Sequence, residues 1–168
     1  GGAAQRGAEQ SQVEAAGGYI DKFMGDGLMA IFGLAATPQE ASRDAIRAGL
    51  AAVHAARRSS RVLTHHLSEP IRVGIGIDTG TVVIGRIGRT SDQTSPSRLT
   101  AIGDTVNIAA RLESSTKELG AAMVISARTF AMAGLTEAET YGRAASIKVH
   151  NISRPVDVIA IADPAALG

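Results

Sequence analysis

Residues 19–33, YIDKFMGDGLMAIFG, read as strand, tight turn, strand. Two apolar runs flank Gly25-Asp26-Gly27, and glycines between such runs are a strong hairpin signal because they accept the backbone angles of a sharp reversal. The turn would present one carboxylate, Asp26, and the strand before it one ammonium, Lys22, four residues upstream. Two readings of Asp26 stand side by side. Asp commonly stabilises a turn through its own backbone. Flanking glycines also leave room for a phosphate or a metal, and Mg²⁺, a hard cation that shares oxygen ligands with substrate phosphates, suits a carboxylate placed there.

Upstream, residues 1–16 are small and polar, with Val13 their one large aliphatic. They form either the end of a helix running into Gly17-Gly18 or a poorly patterned segment before a domain over 17–168. Downstream, Thr37 and Glu40 have capping-box spacing with Pro38 at the first helical position. Ala41, Ala45, Ile46, Ala48, Leu50, Ala52 and Val53 give the helix one apolar side. His54, Arg57, Arg58 and Arg61 lie toward its C-terminal end, where the helix dipole favours positive charge.

Residues 71–78 and 81–87 read as a second hairpin around Thr79-Gly80, followed by a polar loop over 88–98. A helix is expected from Asp104 to Leu119, stopped by Gly120. Then come a strand over 122–125, a short helix capped by Ser126, a strand near 143–150 and a last strand over 156–162. Together these predict an α+β domain, ferredoxin-like (βαββαβ), with helices packed on a mostly antiparallel sheet.

The helix GDTVNIAARLE (103–113) places Asp104, Asn107 and Arg111 at i, i+3 and i+7, on one face. Ile102, Val106, Ala109, Ala110 and Leu112 can supply its packing side. Asp104 could simply cap the helix, and Arg111 could pair with a neighbour such as Glu113. Neither accounts for Asn107, which is mildly unfavourable in mid-helix without a tertiary partner.

Composition narrows the choices. There is no cysteine, which removes disulfides, thiolate metal sites and cysteine nucleophiles, and is compatible with a cytoplasmic protein. A net charge of +1 without a basic, aromatic-rich patch argues against nucleic acid as a partner. No apolar run reaches the roughly 18 residues of a membrane span, so any membrane link would come through other segments. His65 and His66 have no acidic or thiol partner at metal-ligand spacing.

Taken together, DKFMGDGLMAIFG, VGIGIDTGTVVIGRIG and GDTVNIAARLE resemble the class III adenylyl and guanylyl cyclase catalytic domain, over roughly residues 17–162. The resemblance implies conversion of ATP to cyclic AMP with Mg²⁺ or Mn²⁺, two per site, in a head-to-tail homodimer. Asp26 would be a metal ligand supplied by one subunit. Lys22 and Asp104 of the other would read the purine. A lysine can donate to adenine N1 and a carboxylate can accept from its N6 amino group. Guanine presents O6 and a protonated N1, and the guanylyl branch usually carries Glu and Cys at these positions. Asn107 would hold the ribose and Arg111 would stabilise phosphate charge in the transition state. Arg89 is the phosphate-binding candidate of the 86–98 region, with Arg86 and Arg98 as substitutes.

The chain departs from the pattern twice. No segment resembles the family's first metal aspartate, in F-x-D-[IL]-x-G-F-[ST]; Asp21 lies in the wrong strand. At family spacing the missing residue would precede Gly1, and a chain without it would lack one strand, bind metal weakly and turn over poorly. Near the C-terminus, His150-Asn151 stand at the family's Lys-Gly pair, with Lys148 on the same strand face as a substitute and His150 read as a surface residue. Two other functions therefore stay open: a cyclase-fold regulatory module that binds nucleotide without turning it over, and, disfavoured by Lys22 and Asp104, a guanylyl cyclase.

Overall fold

A computed structural model describes residues 2–62, 71–87, 98–137 and 140–167. Helix α1 (Gly2–Ala15) leads into Gly17, whose φ of 82° turns the chain. Val13 is buried, and a Cβ on Gly18 would lie 2.6 Å from its Cγ1, so only glycine lets the helix sit this close to the next strand. Strands β1 (Tyr19–Met24) and β2 (Gly27–Ile31) pair antiparallel about the Gly25-Asp26 turn, as the sequence led one to expect. The ladder has one irregularity. Its register shifts between Ile20 and Lys22, so Asp21 is the extra residue of a bulge.

Helix α2 (Pro38–Val62) starts with a reciprocal capping box: Glu40 N donates to Thr37 Oγ1 at 3.2 Å, and Thr37 N donates to Glu40 Oε2 at 3.0 Å. The Thr37 amide, and after it the Thr37 hydroxyl, donate to the Glu40 carboxylate and hold it below its ordinary pKa. Its buried side carries Ile46, Ala48, Ala52 and Val53.

The second expected hairpin does not form. Strand β3 (Ile75–Ile77) pairs parallel with β6 (Met123–Ser126), and β4 (Val83–Ile87) pairs antiparallel with β5 (Arg98–Ile102). The reason is local packing. Gly76 lies directly under helix α3 (Asp104–Glu118); a Cβ there would come within 2.2 Å of Glu113 N. The residues after β3 are then tied to three helices. Asp78, whose side chain is fully buried, accepts two bonds from Arg128 of α4 (Ala127–Met132), one at 2.8 Å. Thr79 bonds Ser42 of α2, and Thr81 O accepts from Thr105 of α3. The chain therefore leaves β3 pointing away from it, and β4 takes its partner from residues 98–102, read from sequence as loop and helix approach.

Two further strands, β7 (Arg143–Ile147) and β8 (Val156–Ile161), complete a four-stranded sheet of order β3-β6-β8-β7. Alternation along β6 and β8 divides the core. Met123, Ile125, Ile159 and Ile161 face α2 and α4, joined by Ile46, Val53 and Phe130. Val124, Val158 and Ala160 face the other way, against Ile108 and Leu112 of α3. Ser126 caps α4 as expected, and Gly120 at φ 60° follows α3. The α+β expectation holds, with β3–β6 the one parallel pairing among the described strands.

Candidate active site

The site residues sit at the edges of this core. Asp26 is exposed at the β1–β2 turn, and Arg6 of α1 donates to the neighbouring Gly25 carbonyl at 3.1 Å, bracing the turn. Lys22 is exposed on β1. Asp104 is the first residue of α3 and also exposed. It is not the cap: Gly103, at φ 142°, occupies that position and no side chain caps the helix. Asn107 is exposed one turn further on, so the face bearing both polar residues is turned to solvent. The packing side matches the expected set only in part, through Leu112. Ile108, Leu112, Ser115 and Thr116 are buried, whereas Ala110 and Ile102 are exposed.

Arg111 is half-buried. Its Nη1 and Nη2 donate to the Glu118 carboxylate at 3.3 and 3.5 Å, and its Nε donates to the Lys148 carbonyl at 3.3 Å. The partner is thus Glu118, two turns on, not Glu113. The bond to Lys148 O brings the segment after β7 beside the middle of α3. There Lys148 and His150 are exposed and alternate with buried Ile147 and Val149, so the two share one side. Arg89 lies outside the described residues. Arg98 donates through Nη2 to the Asp21 carbonyl at 3.5 Å, and Arg86 stands opposite Leu99 in the β4–β5 ladder.

Sequence reasoning missed Asp21. It is 5% exposed, and its Oδ2 accepts from Ala101 N at 3.1 Å and from Thr100 Oγ1 at 3.3 Å. Alternation with Tyr19 and Phe23 does not reveal it, because the bulge breaks the alternation and Phe23 is exposed.

Large apolar side chains are exposed around the same edges. Val83 and Ile102 stand opposite each other in the β4–β5 ladder, at 67% and 62% exposure, with Ile87 nearby and Phe23 and Met24 on β1. Among the described residues, no three metal-ligating side chains cluster.

The sequence profile of the adenylate and guanylate cyclase catalytic domain matches residues 10–150, which include every site residue above. The chain belongs to this cyclase family. An adenylate cyclase of Anabaena cylindrica is 37% identical over 124 residues, covering 67% of this chain and 22% of that protein. The terminal-differentiation-specific adenylate cyclase of Dictyostelium discoideum is 33% identical over 149 residues, 88% of this chain and 7% of that protein. The cyclase domain thus spans under a quarter of the length of either relative. Among solved structures, the guanylyl cyclase Cya2 superposes with a TM-score of 0.76 at 27% identity, covering 94% of this chain and 76% of that one. The adenylyl cyclase CyaB from P. aeruginosa gives 0.71 at 28%, covering 96% and 80%. Cyclases of both specificities share the fold, so the backbone does not choose the purine. No helix of the described residues is long and apolar enough to cross a membrane.

Proposed function

We propose that this cyclase domain converts ATP to 3′,5′-cyclic AMP and pyrophosphate, at sites shared between two copies of the chain. The observation that carries the choice of ATP is the pair Lys22 and Asp104: an ammonium and a carboxylate, both exposed, on elements joined through β5. The ammonium would donate to adenine N1, an acceptor, and the carboxylate would accept from the N6 amino group, a donor. Guanine reverses both polarities, leaving like facing like. The names of the curated relatives, adenylate cyclases, agree with this reading.

The remaining roles are those that the resemblance to the cyclase family implies. Asn107, one turn past Asp104, would orient the ribose so that its 3′-hydroxyl faces the α-phosphate. Attack forms the 3′-O–P bond and breaks the bond to pyrophosphate. Arg111 would offer its planar donors to the charge that develops there. It must first leave Glu118. That pair is surface-exposed and worth only about 0.2–1 kcal/mol, so a triphosphate can displace it. Arg89, Arg86 or Arg98, and Lys148 are the candidates for further phosphate contacts. Asp26 would hold a divalent ion, Mg²⁺ or Mn²⁺, together with the substrate phosphates; the ion supplies charge neutralisation at the phosphates when bound. The exposed apolar residues of β1, β4 and β5 suit burial against a second copy.

The test of this reading is the double substitution Lys22→Glu with Asp104→Cys in the full-length protein. The ratio of kcat/KM for ATP over GTP should fall by about 10²-fold or more, because each buried hydrogen-bond mismatch costs on the order of 1–3 kcal/mol. An unchanged ratio would refute the purine assignment.

A further inference from the structure

We infer that Asp21 is a positioning residue that sets purine selectivity by fixing Lys22 relative to Asp104. The inference rests on the ATP reading above and adds the device that makes it exact in geometry.

Strands β1 and β5 lie side by side but belong to separate sheets, so no backbone ladder sets one against the other. Side chains perform that task. The bulge at Asp21 turns its carboxylate inward, where Oδ2 accepts from both Ala101 N and Thr100 Oγ1. Tyr19 Oη accepts from Leu99 N at 3.1 Å, and Arg98 donates to the Asp21 carbonyl. Four bonds thus run from residues 19–21 to residues 98–101. Asp21 takes part in three of them, two through a carboxylate that is almost wholly out of water. Taking a carboxylate this far out of water costs free energy, which its acceptor bonds to Ala101 and Thr100 offset.

The lever arms on either side are short. Lys22 is the next residue after Asp21, and Asp104 is three residues after Ala101, through Ile102 and the fixed Gly103. Whatever holds residue 21 to residue 101 therefore holds the purine donor to the purine acceptor. Losing the carboxylate leaves the Ala101 amide and the Thr100 hydroxyl without their acceptor and leaves only the Tyr19 and Arg98 bonds to set β1 against β5. A shift of about 1 Å is enough to spoil two directed hydrogen bonds to a base.

The experiment measures binding of fluorescent mant-ATP and mant-GTP, and of inorganic tripolyphosphate, to the full-length protein, with melting curves. In Asp21→Ala the ratio of GTP to ATP dissociation constants should fall about tenfold, while tripolyphosphate, which has no purine, binds within about twofold of wild type. Asp21→Asn should restore the ratio, because an amide oxygen in the Oδ2 position accepts both bonds. If Asp21→Ala does not fold, Asp21→Glu takes its place: it keeps the charge, displaces the oxygens by one methylene and should lose the ratio likewise. A well-folded Ala or Glu variant with wild-type discrimination overturns the inference, as does an Asn variant that discriminates no better than Ala. Lys22→Glu is measured alongside. If it keeps the ratio, the ATP reading fails and takes Asp21 with it; if it loses the ratio while Asp21→Ala keeps it, the positioning role alone fails.

Discussion

Asp26→Ala in the full-length protein should reduce Mn²⁺-dependent cyclic AMP formation by about 10³-fold or more, the equivalent of the several kcal/mol that a metal-held charge contributes at a phosphoryl centre. The turn gives the substitution its clarity. Asp26 is exposed, and Gly25 supplies the positive φ of the reversal, so the change removes a carboxylate without disturbing the core. Arg6 still braces the Gly25 carbonyl. Melting should therefore stay within a few degrees of wild type, since surface substitutions usually shift stability by no more than about 0.5 kcal/mol. Activity retained under saturating Mn²⁺ would remove Asp26 from the metal site and return it to the role of a turn residue.

The second large effect concerns two chains. Asn107→Ala alone should lower turnover by about 10²-fold or more, the loss typical of a group that orients reactants or stabilises the transition state. Mixed one to one with Asp26→Ala and allowed to re-equilibrate, the two inactive proteins should recover about a quarter of wild-type activity. Random pairing makes about half of the dimers mixed, and each mixed dimer combines an intact Asp26 from one subunit with an intact Asn107 from the other at one of its two sites. A mixture that stays inactive, once native mass spectrometry shows the mixed dimer, would mean that both residues serve a site within one chain.

The features legible in the sequence were those written over a few residues. The Gly25-Asp26-Gly27 reversal, the Thr37–Glu40 box, the Ser126 cap and the Gly120 stop each depend on neighbours within one turn, and each is present. Pairing across long separations was not legible. Ile75–Ile77 joins Met123–Ser126, nearly fifty residues on, because Gly76 must slip beneath α3, and no local signal in IGI announces that. The bulge at Asp21 was hidden for the same reason: its partners, Thr100 and Ala101, lie 79 and 80 residues away. The site residues on α3 could be grouped by helical spacing alone. The pairing of Arg111 with Glu118, seven residues on along the same helix, has that spacing too, but its bond to Lys148 O, 37 residues away, comes only from the tertiary packing.

One consequence of the separate sheets concerns time. The four-stranded sheet and α3 are bound into two buried cores, so their amides open only when much of the domain opens. The β1–β2 hairpin has no such sheet behind it and is joined to β5 by side-chain bonds. Its amides can be released by losing a handful of those bonds. Hydrogen exchange would then run on two clocks, slow along α3 past its first turn, at Ile108 and Leu112, and faster beneath Lys22.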